Sequence, residues 1–168
     1  KNDGAWVGYR SASVFSSTAN AGVSNLYRDL GLEGNTNAYS FMGATPFTSS
    51  LLSVRYILST EALPDSELHH FRESTESGIH LYENDYTLPL GFLIPSDTDE
   101  HWTTSVGNPA RVQNNFISLT THVSEILSAI SGSTSGSQFT TSVTERSHVY
   151  VFIDNANVDN VTASIGNR

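Results

Sequence analysis

The longest apolar stretch in the chain is Leu88–Pro95, which contains a glycine and two prolines. A helix that crosses a membrane needs about 20 consecutive apolar residues, and no signal-peptide pattern is visible. The chain also begins at Lys1 rather than at a methionine. We therefore expect a water-soluble segment that builds its core from short elements and whose targeting elements lie elsewhere in a longer protein.

Composition favours one domain that is rich in strands and turns. A chain of 168 residues with 38% hydrophobic content buries about two thirds of its unfolded surface, which suits one domain or one domain with a small appendage. Charged residues make up only 15%, and about a quarter of all residues are Ser or Thr. Hydroxyl-rich sequence of this kind is typical of strands, turns and exported surfaces.

The charge balance restricts the classes of partner. Eight Lys and Arg residues stand against 17 Asp and Glu residues, for a net charge of -9. Nucleic-acid binding requires clustered positive charge, and the eight basic residues are scattered, so we expect no nucleic-acid partner. The chain has no cysteine, which excludes a disulfide scaffold, a thiolate metal site and a cysteine nucleophile.

The first half of the chain contains signals for both strands and helices. Ala5–Val14 has a strand-like pattern, whereas Asn20–Leu32 carries apolar residues at helical spacing and predicts an amphipathic helix that Gly31 ends. A turn follows at Gly34–Asn37. Thr45 and Pro46 form a helix cap and first turn, which predicts a short helix through about Leu52.

Three strands are predicted next, at Val54–Leu58, Gly78–Glu83 and Gly91–Pro95. The last two flank a turn at Asn84–Tyr86, so we expect all three strands to lie in one sheet.

A second helical region begins with Asn108 and Pro109, and its apolar stripe continues to Ser131. It predicts one or two packed helices with a break at Thr120–His122. The Ser, Gly and Thr run Ser131–Ser137 is predicted to be a linker or mobile loop.

Alternating apolar residues at Val149–Ile153 and Val161–Ile165 predict a terminal β-hairpin. The hairpin either extends the main sheet or begins a truncated β-domain. The fold class predicted is α+β, with a mixed sheet and a few packed helices. The predicted divisions are an α+β domain at 1–131, a linker at 132–137 and the tail at 138–168.

No motif for catalysis or metal binding is found. His69 and His70, with Glu67 and Glu73, lack a zinc-ligand spacing and are interpreted as surface residues. Asp97, Asp99 and Glu100 are interpreted as a solvated acidic loop, with a weak cation site as the alternative. Asn155, Asn157 and Asp159 have part of the spacing of a calcium loop, but the loop's glycine and terminal glutamate are absent, so a hairpin turn is the interpretation. Neither Ser16–Ser17 nor Ser49–Ser50 lies in a nucleophile elbow. We expect no cofactor and no metal.

Aromatic residues beside Asn and Ser are compatible with sugar binding, although core packing is the favoured explanation for them. They are Trp6, Tyr9, Tyr27, Tyr39, Phe41, Tyr56, Tyr82 and Tyr86.

Several short phrases in series resemble a known family. In chain order they are Phe15-Ser16-Ser17, Asn25-Leu26-Tyr27, Asn37-Ala38-Tyr39-Ser40, Gly43-Ala44-Thr45-Pro46, Ser50–Leu58, Leu81-Tyr82-Glu83-Asn84, Leu88–Phe92 and Asn108-Pro109. Their order and spacing over about residues 4–120 resemble the soluble region of YfhO-type bacterial membrane proteins.

The resemblance implies a role that the residues alone do not indicate. Such proteins combine many membrane helices with a region like this one and are similar to GT-C glycosyltransferases, which use lipid-phosphate sugars at the outer face of the membrane. The implied function is that of a non-catalytic extracellular domain of a polytopic glycosyltransferase-like protein, which acts on cell-envelope polymers of the lipoteichoic acid type in Gram-positive bacteria. Its implied partners are the membrane-helix bundle of its own protein and a glycopolymer. The alternative is a stand-alone carbohydrate-binding or adhesion module.

The most motif-dense part of the chain is Phe15–Leu58, and there we expect any contact with a glycan or with the membrane bundle. The candidate residues, together with the nearby Arg10, are Ser17, Asn25, Tyr27, Arg28, Asn37, Tyr39, Ser40 and Arg55. Helix capping and satisfaction of buried backbone groups are the alternative explanation for the Asn and Ser residues.

Overall fold

A computed structural model describes residues 2–63, 71–145 and 147–153, with the single residues 162, 164 and 166. It confirms the α+β class. The described helices are α1 (Asp3–Val7), α2 (Ala21–Asp29), α3 (Pro46–Leu51), α4 (Thr98–His101) and α5 (Pro109–Thr120). The described strands are β1 (Val14–Phe15), β2 (Glu33–Asn35), β3 (Ala38–Ser40), β4 (Tyr56–Ser59), β5 (Arg72–Glu76), β6 (Ile79–Glu83), β7 (Gly132–Ser135) and β8 (Gln138–Thr141).

The described strands form three small antiparallel sheets, with orders β1-β3-β2, β4-β6-β5 and β7-β8. The expectation of one mixed sheet is therefore corrected. Two of the three strands predicted for the middle of the chain, at Val54–Leu58 and Gly78–Glu83, correspond to β4 and β6. The third strand was placed wrongly, because Arg72–Glu76 pairs with β6 and Gly91–Pro95 is irregular. Two prolines in Leu88–Pro95 remove backbone donors that a ladder needs.

The core lies where α2 packs near α5. Its buried apolar residues are Tyr27, Leu30, Leu32 and Val112. The predicted helix at Asn20–Leu32 is confirmed, because the Asn20 side chain accepts from the amides of Gly22 and Val23 at the helix start. Gly31 follows the helix with φ +88°, a conformation that glycine adopts without strain.

The strand predicted at Ala5–Val14 is wrong for most of its length. Residues 3–7 form α1, and Gly8 ends that helix in the left-handed conformation. The periodicity of a short apolar run does not separate a helix from a strand. In this part of the chain, strand pairing is present for Val14–Phe15, which pair with β3. The Asn2 side chain bonds both the amide and the carbonyl of Phe15.

The predicted break at Thr120–His122 is confirmed, because α5 ends at Thr120. No second helix follows it up to Ser131. Instead, Asn114 of α5 bonds the backbone of Ile126 and Leu127 and holds that irregular segment against the helix. The Asn114 side chain thus provides hydrogen-bond partners for three backbone groups of this segment, in place of the bonds that a helical turn would make.

The structure describes the whole of the predicted linker but only part of the predicted tail. Gly132–Ser135 is strand β7, which pairs with β8 across a tight turn, so Ser131–Ser137 is not a structureless run. Val149–Ile153 has no assigned strand pairing, and Val161–Ile165, the other half of the predicted hairpin, is not described continuously. The ring of Phe152 packs against Gly31, which attaches this part of the tail to the core.

Candidate functional site

A cleft of about 610 Å³ lies between α3, α5 and the segment that follows β6. Its walls come from distant parts of the chain, including Ile126, Leu127, His148 and Tyr150. Clefts of this size with mostly apolar linings are typical ligand or partner sites.

Aromatic packing forms the floor of the cleft. The rings of Phe47 and Phe116 lie 5.7 Å apart between centroids, and Trp102 meets Phe116 edge-on at 4.8 Å. The indole NH of Trp102 donates to the carbonyl of Val112 at 3.1 Å. Trp102 is not itself part of the lining, but its contact with Phe116 and its hydrogen bond to Val112 hold the floor in place from behind.

The position of α3 follows from its cap, which the sequence predicted correctly. Thr45 and Thr48 exchange bonds as a capping box, and Pro46 occupies the first turn. These contacts place Phe47 and Ser50 on the side of α3 that lines the cleft.

Gln113 connects helices α2, α3 and α5 beneath the cleft. Its side chain is fully buried. It accepts from the Thr45 hydroxyl at 2.7 Å and donates to the carbonyl of Leu30 at 2.8 Å. Since buried polar groups are expensive to leave without partners, Gln113 fixes α5 relative to the end of α2 and the start of α3.

One wall of the cleft starts at Asn84, which is buried after β6. Its side chain donates to the carbonyl of Val54 at 3.2 Å and accepts from the amide of Tyr86 at 3.0 Å. The amide of Leu88 donates to the carbonyl of Ser50. Beyond this anchor the chain carries Phe92, Leu93 and Ile94 along the lip of the cleft.

The side chains that line the cleft carry almost no formal charge. No Asp, Glu, Lys or Arg is among the described residues that line the cleft, whose polar groups are hydroxyls, the Asn84 amide, His148 and two tyrosines. Burial raises the pKa of Tyr150, so this phenol is neutral at physiological pH. Over the described residues, no group of three or more His, Cys, Asp or Glu side chains is placed to hold a metal ion. The arrangement suits an apolar partner that a few hydrogen bonds orient.

The predicted metal-site candidates contribute little to this picture. Glu67, His69 and His70 lie outside the described residues, as do Asn155, Asn157 and Asp159. Asp97, Asp99 and Glu100 lie at the start of α4 and are not among the residues that line the cleft.

Five of the predicted site residues lie on α2 or the adjacent sheet. The rings of Tyr27 and Tyr39 are 4.7 Å apart, and the Tyr27 hydroxyl donates to the carbonyl of Ala12 at 2.9 Å. Burial, and then the neighbouring Tyr39, raise the pKa of Tyr27 to about 12. The Ser40 hydroxyl is buried and donates to the Glu33 carboxylate. On the exposed side of α2, the side chains of Arg28 and Asn25 are joined at 2.7 Å.

The other four candidates do not join this group through any described contact. Asn37 occupies the β2–β3 turn, and Arg10 and Ser17 are exposed. Arg55 precedes β4 in the second sheet, where it pairs with Glu83 at 3.5 Å and covers the Tyr56 ring at 5.2 Å. The structure thus brings some candidates together on α2 and places Arg55 in a different network.

The sequence interpretation missed the cleft itself. Its components were visible as the caps at Thr45–Pro46 and Asn108–Pro109 and as the apolar run Leu88–Pro95. What linked them was the pairing between Thr45 and Gln113, which are 68 positions apart, and no periodicity within a segment indicates such a pairing.

None of the helices in residues 2–63, 71–145 or 147–153 has the length and apolar character that a membrane span requires. The fold and the site define a small α+β domain with an apolar, nearly neutral cleft. The chain belongs to the family described as bacterial membrane protein YfhO, whose pattern it matches over residues 1–165. No curated protein and no solved structure matches the chain.

Proposed function

We propose that this chain is a non-catalytic extracellular domain of a polytopic, glycosyltransferase-like membrane protein that takes part in glycosylation of cell-envelope polymers of the lipoteichoic acid type. The cleft is the observation that carries the proposal. It is large and apolar, and its described lining has no acidic side chain, whereas glycosyl transfer uses carboxylates or metals for acid-base work. Membership of a bacterial membrane protein family supplies the setting.

In this proposal the cleft receives an apolar segment from the membrane-helix part of the same protein. Phe47, Phe116 and Ile126 offer the apolar contact, and the Tyr150 side chain adds a polar group to the lining. The domain then braces the membrane part and positions the acceptor polymer. With a net charge of -9, it repels a polyanion over about a Debye length, so acceptor contact depends on local donors such as Arg28.

The first experiment asks whether the isolated chain has activity. The purified 168-residue chain is incubated with a lipid-linked sugar donor and a teichoic-acid acceptor, and product is measured by mass spectrometry. We expect no transfer. Turnover by the chain alone would overturn the non-catalytic assignment.

The second experiment tests the cleft in the native bacterium. Ile126, which is 42% exposed and lines the cleft, is replaced by Gln in the chromosomal gene. The matched control is Ile79→Gln, at 45% exposure on β6 and outside the cleft lining. We expect loss of envelope glycosylation only with Ile126→Gln, at equal protein levels. Equal glycosylation in both strains would contradict the proposal.

One observation favours the alternative of a stand-alone carbohydrate-binding module. Trp6 is 93% exposed, and an exposed indole face suits stacking on a sugar ring. The Trp6→Ala variant distinguishes the two functions in a pull-down of purified envelope glycopolymer by the isolated chain. Binding that disappears with Trp6→Ala favours the module. No binding by either chain favours the membrane-protein role.

A further inference from the structure

The segment from Tyr86 to Pro95, here called the apolar loop, exposes large apolar side chains. Leu93 is 100% exposed, and Tyr86 and Leu90 are each 74% exposed. Phe92 and Ile94 are partly exposed beside them. A contiguous set of exposed apolar residues on a folded chain marks an interaction surface.

Buried polar residues hold both ends of the apolar loop. Before it, Asn84 is 2% exposed and bonds the carbonyl of Val54 and the amide of Tyr86. After it, Thr98 is equally buried, and its hydroxyl donates to the carbonyl of Pro95 at 2.8 Å. Pro89 and Pro95 also restrict the backbone. The exposure is therefore built into the fold, and little conformational entropy is lost when this surface is covered.

The chemistry of the apolar loop favours a lipid surface over a charged partner. No charged residue lies between Asp85 and Asp97, a stretch of eleven residues. Tyrosine at the edge of such a stretch is typical of the boundary between lipid headgroups and water. The chain belongs to a family of bacterial membrane proteins, so a bilayer is an apolar medium within reach of the protein that carries this surface.

Acidic residues at both ends of the apolar loop limit how deeply it can enter a bilayer. Asp85, Asp97, Asp99 and Glu100 flank it, and charged carboxylates stay in water. Irregular backbone without hydrogen-bonding partners is not stable in the hydrocarbon centre. Contact is therefore confined to the outer boundary of the bilayer, and anionic headgroups oppose it rather than assist it.

We propose that the apolar loop anchors this domain to the membrane by inserting Leu90, Leu93 and their apolar neighbours into the headgroup–acyl boundary of a lipid bilayer. The inference rests on the membrane location in the proposed function and not on glycosylation. It makes the apolar loop an interfacial anchor of the shallow kind, in which affinity scales with apolar area inserted.

The test is flotation of the 168-residue chain with phosphatidylcholine vesicles, which contain no sugar donor and no polymer. The Leu93→Ser variant is expected to lower the partition coefficient by about tenfold, because one inserted leucine is lost. The matched control, Leu58→Ser, replaces a leucine that is 59% exposed on β4, and we expect less than about a twofold change. Both variants should keep the parent melting temperature, since both side chains are exposed.

A second arm uses a fluorescent reporter and anionic lipid. A Leu93→Trp variant should show a blue-shifted emission with phosphatidylcholine vesicles, and a Leu58→Trp variant should not. Vesicles that contain phosphatidylglycerol should bind more weakly at low salt, because the chain has a net charge of -9, and added salt should restore binding.

Absence of vesicle binding, or an equal loss with Leu93→Ser and Leu58→Ser, would overturn the anchor. A further outcome is that the chain does not bind vesicles but binds the solubilised membrane part, and that Leu93→Ser weakens this binding. The apolar loop would then dock on protein, and the lipid assignment would be wrong. These vesicles contain no glycosylation machinery, so a chain that does not bind them would contradict the anchor but not the proposed role in glycosylation. Conversely, evidence against a role in glycosylation would not contradict vesicle binding.

Discussion

Replacement of Gln113 by Ala is predicted to loosen the floor of the cleft. The change removes the bond from the Thr45 hydroxyl and the bond to the Leu30 carbonyl, at 2.7 Å and 2.8 Å. Each of these two buried hydrogen bonds costs about 1–2 kcal/mol to remove, and the space left by the side chain costs about 1 kcal/mol more. The free energy of unfolding should fall by about 3–5 kcal/mol, which lowers the melting temperature by roughly 10 °C in a domain of this size.

Chemical denaturation measured by circular dichroism checks this value, with Gln138→Ala as the control. Gln138 is exposed on β8, so its loss should change stability by less than about 0.5 kcal/mol. A double-mutant cycle with Thr45→Val should give a coupling free energy of about 1 kcal/mol between Thr45 and Gln113. A cost below about 1 kcal/mol for Gln113→Ala, or a coupling of zero, would refute the claim that this bridge holds the three helices together.

Three further predictions concern packing and ionisation. Gly34→Ala should destabilise the fold by about 1–3 kcal/mol, because a Cβ there would overlap a backbone oxygen of α2; Gly91→Ala, with open space around it, is the control, and equal unfolding free energies would contradict the packing. Because burial raises the pKa of Tyr27 to about 12, the stability that depends on its neutral phenol is fully present below pH ~10 and is lost as the pH rises from there through the folded-state pKa; ultraviolet titration should show a late-ionising phenol that Tyr27→Phe removes, and identical curves would refute it. The Arg72 guanidinium lowers the pKa of the Glu83 carboxyl, so this pair stabilises the fold above the ordinary glutamate pKa and loses its effect as the pH falls through the lowered value. Arg72→Ala should raise the Glu83 pKa in an NMR titration, and an unchanged pKa would show that the pair is unimportant.

The sequence predicted those elements whose signals are local. The caps at Thr45 and Asn108 depend on side chains that bond amides three residues away, so their residue types are informative by themselves. The α+β class followed for the same reason. The strand at Gly91–Pro95 failed because an apolar run has no local feature that separates a strand from an exposed loop.

The cleft was not predictable from such signals, because each wall depends on contacts between distant segments. Gln113 looks like an ordinary helical residue until its bond to Leu30, 83 positions away, is known. The same limit applied to β5, since Arg72–Glu76 is polar and becomes a strand only through its pairing with β6. The candidate residues Asn25, Tyr39 and Arg55 remain predictions as recognition residues, and their Ala variants in the native bacterium test them separately from the cleft.

Photocrosslinking from the cleft in intact bacterial membranes is the most direct measurement of where this domain acts. Benzoylphenylalanine is incorporated at position 126 in the cleft and, as the control, at position 79 on β6, and the products are mapped by mass spectrometry. The proposed function predicts a crosslink from position 126 to the membrane-helix part of the same protein and none from position 79. Equal crosslinking from both positions, or crosslinks from position 126 only to soluble proteins, would contradict the assignment of the cleft as the surface that meets the membrane part.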